Sequence, residues 1–215
     1  MNSRFSYAVL FLPLCASLMR GAFSGESALS APAAKQVVAI QPLGNFDTKL
    51  VQKVKQQLIS NYGVDVVVKP AVPLPQSAFY PPRGRYRAEK LLDYLDVSDA
   101  QSTKVLGLTT VDISTTKGVY VDWGILGQGR LGGRPCVVST FRMRGTQANK
   151  KVSETVFNSR FAKVVAHEMG HTFGLEHCPY QGCLMEDARG TVNTVDGETD
   201  FCPSCKTRLN KVLSK

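Results

Sequence analysis

His167-Glu-Met-Gly-His171-Thr-Phe-Gly174-Leu-Glu-His177 is the stretch whose reading decides the fold. On a helix, His167 and His171 lie one turn apart and project the same way, so two imidazoles can grip one metal ion. Glu168 sits one step round the helix, beside the metal but outside its ligand set, where a carboxylate can act on a water. Gly174 ends the helix in a left-handed conformation that other residues resist, and the chain then returns His177 as a third ligand. Three protein ligands and one open position are what a catalytic zinc needs. The chain has three histidines, and all of them fall within these eleven residues. Incidental histidines on an amphipathic helix would not gather so closely.

Outward from this motif, the spacing predicts a long helix over 155–173, with Phe157, Val164, His167 and His171 along one face. Upstream, Gln36–Leu43 reads as a first strand. Asn45 or Asp47 caps a helix in which Leu50, Val51, Val54, Leu58 and Tyr62 recur before Gly63. Val64–Val68 is β-branched and reads as a second, buried strand. The five prolines within 70–85 predict an irregular loop, and Ala88, Leu91, Leu92 and Leu95 a short helix. Lys104–Ile113 and Gly118–Trp123 look like further strands. Gly124–Gly133 holds five glycines but lacks the Gly-Lys-Ser/Thr of a phosphate loop, so it reads as a mobile loop leading into a strand at Cys136–Met143. Cys136, beside two valines, reads as a buried thiol acting as a small hydrophobe. Strands alternating with helices, the longest helix arriving late, place the chain in the α+β class.

Six cysteines are present, and Cys178, Cys183, Cys202 and Cys205 crowd into the last 38 residues. Their spacing offers four thiolates for a closed tetrahedral zinc. Two disulfides are the competing reading in an oxidising compartment.

Together these residues resemble the archaemetzincins, a branch of the metzincin clan of zinc metallopeptidases. The resemblance rests on His167 to His177, Cys178 directly after the third histidine, Cys183 after four further residues, Met185, and the distal pair Cys202 and Cys205. It implies a metzincin-like twisted mixed β-sheet, a long active-site helix and a C-terminal segment stapled by zinc. It also implies two zinc ions per chain, the catalytic one on the three histidines and the structural one on the four cysteines. Met185 would form the Met-turn, an apolar base beneath the catalytic metal. Asp187 stands where some metzincins carry a tyrosine that swings onto the zinc, so no such switch is expected. Because Cys178 adjoins His177, the cysteine site is expected to order the catalytic one.

The expected activity is hydrolysis of peptide bonds in a peptide or protein substrate, with Glu168 as general base. The alternative is a weakly active or inactive zinc-binding scaffold of the same fold. A third reading, a basic zinc ribbon on nucleic acid, finds only Lys206, Arg208, Lys211 and Lys215 near the cysteines and no aromatic platform, so no nucleic-acid partner is expected. The formal charge of +9 over 215 residues fits a solvated basic surface, and 43% hydrophobic residues exclude a disordered chain. A monomer without a stable membrane span is expected. At the N-terminus, a basic start at Met1–Arg4, the apolar run Phe5–Leu14 and small residues near Ala22 and Ser24 read as an export signal over 1–24. A linker at 25–35 and one catalytic domain over 36–215 would follow. An organelle transit peptide is the rival reading of the first segment, and the signal reading places the mature protein in the periplasm or outside the cell.

Overall fold

In the computed structural model, residues 35–145 and 151–214 are described. The segment read as an export signal, and the linker up to residue 34, lie outside the described residues.

The first strand, β1 (Val37–Pro42), is apolar except for Gln41 because it is flanked on both edges and covered on both faces. Helix α1 (Thr48–Tyr62) starts where the Asp47 side chain accepts from the Lys49 amide at 2.8 Å, and stops at Gly63 with φ of 62°. Its buried stripe is Val51, Val54, Leu58 and Tyr62, as the periodicity predicts. Strand β2 (Asp65–Val68) departs from expectation. Among the described residues it is an edge strand paired with β1 alone, so alternate side chains face solvent and Val67 is 45% exposed.

The proline-rich stretch is also more ordered than expected. It holds single 3₁₀ turns at Gln76–Ala78 and Pro81–Arg83, and a two-residue strand β3 (Phe79–Tyr80) paired antiparallel with β4 (Arg85–Arg87). Helix α2 (Ala88–Ser98) buries Ala88, Leu91, Leu92 and Leu95.

The run Lys104–Ile113 is two strands rather than one. Strand β5 (Lys104–Thr109) belongs to the first sheet, and β6 (Ile113–Lys117) starts the next, so the chain changes sheets between them. Strand β7 (Tyr120–Ile125) folds back on β6. The glycine-rich run then contributes β8 (Gly127–Gly129), antiparallel to β9 (Pro135–Ser139). What reads in the sequence as a mobile loop is therefore partly the edge strand of the main sheet. The order is β2-β1-β5-β9-β8, the first four strands parallel; a smaller sheet runs β3-β4-β6-β7.

Alternate residues of β1, β5 and β9 build a core on each face. Val38, Ile40, Leu106, Leu108, Cys136 and Val138 meet α1 and α3 (Glu154–Thr172), whereas Ala39, Val105 and Val137 meet α2. Cys136 is fully buried, as expected, its Sγ 3.4 Å from Met169 Sδ. Two shorter helices follow, α4 (Val192–Gly197) and α5 (Pro203–Leu213). No described helix is long and apolar enough to cross a membrane.

Candidate metal centre

Helix α3 is capped by Ser153, whose hydroxyl accepts from the Val156 amide at 3.3 Å, and it runs beneath β8 and β9 into the core. It closes as the sequence predicts. Gly174, at φ of 85°, lets its own amide donate to His171 at 2.9 Å and the Leu175 amide donate to Gly170 at 3.0 Å, the paired bonds of a Schellman motif. That turn sends the chain back so that His177 faces the two helical histidines. The three rings lie 4.7, 4.8 and 5.3 Å apart between centroids, and one ligand nitrogen from each falls within 4.8 Å of the others.

The ring tautomers follow from the partners. His167 Nδ1 meets the Leu184 carbonyl at 2.6 Å and His171 Nδ1 meets the Leu175 carbonyl at 2.7 Å. A carbonyl only accepts, so each Nδ1 carries the proton and each Nε2 presents a lone pair. The two Nε2 atoms face each other at 3.0 Å. Lone pairs so placed repel unless a cation lies between them, and nitrogens around a tetrahedral zinc at about 2.0–2.1 Å stand roughly 3.4 Å apart. Burial first, then the neighbouring imidazole, holds His167 down to about 3, so the ring is neutral and available as a donor. The donor set thus fits a zinc ion, and backbone carbonyls orient two of its three members.

Glu168 is 7% exposed and lies against the glycines of β8. A Cβ on Gly127 would come 2.6 Å from Glu168 Cγ, and one on Gly129 would come 2.5 Å from the Glu168 carbonyl oxygen. Burial pushes the Glu168 carboxyl up to about 8; the Gly129 amide opposes this and Glu198 adds to it. A cation at the histidines would pull it back down.

Met185 is fully buried under the helix, where a Cβ on Gly170 would meet its Sδ at 2.7 Å. Its carbonyl accepts from the Cys178 amide at 2.7 Å, and the preceding Leu184 carbonyl is the one that holds His167. Directly below, Cys178, Cys183, Cys202 and Cys205 are buried free thiols whose sulfurs lie within 4.8 Å of one another. They converge on one point, with Cys178 and Cys202 Sγ 3.8 Å apart, instead of forming two bonded pairs. The Cys205 backbone amide lowers the Cys202 thiol to about 7, and burial raises Cys205 to about 12. The histidine and cysteine groups therefore share one short length of chain.

The histidines and Glu168 open into a cleft of about 580 Å³. Its walls include residues that the sequence reading did not single out: Gly127 and Gly129 of β8, Trp123 of β7, and Glu198 beyond α4. The alternation of Gly127 with Gly129 is the one local signal that marks a strand face closed against another element.

Comparison with known proteins agrees with this geometry. The family model described as Peptidase family M54 matches residues 38–211. The chain is 33% identical over 177 residues to an archaemetzincin of Haloquadratum walsbyi, covering 80% of this chain and 99% of the relative. It is 34% identical over 174 residues to an archaemetzincin of Halobacterium salinarum, covering 79% and 96%. Among solved structures, an archaemetzincin from Methanopyrus kandleri superposes with a TM-score of 0.72 at 29% identity, covering 87% of this chain and 100% of that one. An archaemetzincin from Archaeoglobus fulgidus, complexed with malonate, gives 0.67 at 26% identity, covering 80% and 99%.

Proposed function

The chain belongs to peptidase family M54 and is a zinc metallopeptidase, and from that premise we propose that Glu168 is the general base of peptide-bond hydrolysis at a zinc held by His167, His171 and His177. The observation that carries this reading is the facing pair of Nε2 lone pairs, fixed by two backbone carbonyls, in a cleft that Glu168 also lines.

When bound, the zinc supplies Lewis acidity and lowers the pKa of a water from about 15.7 toward 7. Glu168 takes the proton of the attacking water and delivers it to the departing amine. The β8 strand, packed over Glu168 by two residues without side chains, fixes the carboxylate and excludes water from one side of it. Among the described residues the outer edge of β8 has no strand partner, so an extended peptide can lie along it and reach Glu168 without a side chain in the way. Met185 serves as the apolar floor under the histidines, and the four cysteines hold a second, structural zinc.

Replacing Glu168 by Ala tests the assignment. Turnover of a peptide library is expected to fall by about 10²–10⁴-fold or more while the zinc content of the purified protein stays unchanged. Full activity in the variant would overturn the assignment of the base. Metal analysis of the wild-type protein is expected to find two zinc ions per chain; one would remove either the cysteine site or the histidine site from the account.

A further inference from the structure

Few charged side chains are buried in this fold, and most of those have partners. Asp99 is bonded by Ser102 and the Gln101 amide and paired with Lys69, and Arg160 is paired with Asp196 at 2.6 Å. Glu198 is the exception. It is 3% exposed and lines the cleft, and its carboxylate has no hydrogen bond or salt bridge to any described residue. The carboxylates and cations that act on it are Glu168, Glu186 and Lys163. Glu186 is occupied by the Gly182 amide at 2.8 Å, and the Lys163 ammonium is turned onto the Val195 and Asp196 carbonyls at 2.9 and 3.3 Å.

A carboxylate recessed in the wall of a cleft, with no partner of its own, is costly in its charged form, and it persists either protonated or with a cation brought to it. Burial raises the Glu198 carboxyl to about 7, so at neutral pH an arriving cation would restore its charge. Val164 and Val195, both buried, line the same cleft. A cleft whose lining joins these valines to a recessed carboxylate matches a long aliphatic stem with a charged end. A peptide's terminal ammonium has no such stem.

We propose that Glu198 is a specificity-determining residue that receives the ammonium or guanidinium end of a substrate lysine or arginine, whose stem lies along Val164 and Val195. This rests on the reading of the cleft as the peptidase active site, and it names the class of peptide that site takes: basic at one position beside the scissile bond.

The test uses zinc-loaded protein and two measurements. In the first, a peptide library with acetylated N-termini is digested by wild type and by Glu198→Gln, and cut sites are read by mass spectrometry. Lysine and arginine are expected to be enriched at least about tenfold at one position in the wild type, and that enrichment is expected to vanish in the variant. In the second, calorimetry on Glu168→Ala compares the binding of two capped peptides that differ only in lysine against norleucine. The lysine peptide is expected to bind about tenfold tighter, an advantage lost when Glu198→Gln is added. Equal cutting and equal binding would overturn the proposal, as would an enrichment that survives Glu198→Gln. A preference seen only for free N-termini would move the recognised cation to the peptide terminus and overturn the side-chain assignment. A wild type that cuts nothing, with Glu168→Ala still binding lysine over norleucine through Glu198, would refute the catalytic reading and leave this one standing. Should Glu198→Gln fail to fold, Glu198→Asp replaces it: a lysine preference weakened in both measurements supports the assignment, and an unchanged one overturns it.

Discussion

The two glycines of β8 allow stability and catalysis to be separated by adding one methyl group at a time. Neither Gly127 nor Gly129 has a positive φ, so alanine can take both backbone conformations and space alone decides the outcome. At Gly129 the new carbon would sit 2.5 Å from the Glu168 carbonyl oxygen and 2.9 Å from His171 Cβ. Both obstacles are fixed to the helix, so strand and helix must part. Overpacking of this kind costs about 1–3 kcal/mol, partly offset by roughly 0.4–1 kcal/mol from the stiffer unfolded chain. For a domain of this size a net loss of about 1–2 kcal/mol lowers Tm by roughly 2–8 °C.

At Gly127 the obstacles are the Glu168 side chain itself, Cγ at 2.6 Å and Oε1 at 2.8 Å. To restore ordinary contact at about 3.5 Å, the carboxylate must move by roughly 1 Å, a misplacement that can cost about a hundredfold in kcat. Gly127→Ala is therefore expected to melt near the wild type and turn over poorly, and Gly129→Ala to melt lower. Gly145→Ala, with no described residue within 4 Å of the added carbon, is the neutral control. Thermal melts and steady-state kinetics on the three variants measure this directly. If Gly129→Ala melted like the wild type, or Gly127→Ala kept its kcat, the packing of β8 against the helix would not be what positions Glu168.

Two further outcomes follow from the neighbouring groups. Cys202→Ser removes one of four converging thiolates, so it is expected to release one zinc, lower Tm and weaken zinc at the histidines by about 10–100-fold, since Cys178 and Leu184 are tied to Met185, Asp200 and His167; loss of one zinc with unchanged activity would break that link. Glu198 has a folded pKa raised from 4.5 to about 7, so the folded state holds more protons than the unfolded one between those values. Its contribution is present below about pH 4.5 and lost as pH rises through about 7, so wild-type Tm should fall relative to Glu198→Gln across that window, by an amount equivalent to roughly 1–3 kcal/mol. A Tm difference that stayed constant with pH would contradict the burial of an unpaired carboxylate.

What the sequence disclosed and what it hid divide along one physical line. Helix ends were legible because their causes are local: Asp47 bonds an amide two residues on, and Gly63 and Gly174 take a conformation that few other residues accept. The histidine cluster was legible because one helical turn and one left-handed residue bring His167, His171 and His177 together with little help from the rest of the chain. The edge position of β2 was not legible, since its valines look the same whether one neighbour covers them or two. The break in Lys104–Ile113 escaped for the same reason, because a change of sheet depends on where the next partner lies.

Glu198 escaped because a lone glutamate in a polar stretch carries no mark of burial; its recessed place in the cleft wall that Val164 and Val195 also line is set by the tertiary fold. The glycine-rich run is the instructive case. Glycine gives neither apolar periodicity nor β-branched weight, so a strand built from it reads as a loop. Yet helix α3 lies where side chains on Gly127 and Gly129 would be. Read from the ligands alone, the site is three histidines and a carboxylate on a helix. The other half is a strand that makes room for that helix, and its contribution is written in the side chains it lacks.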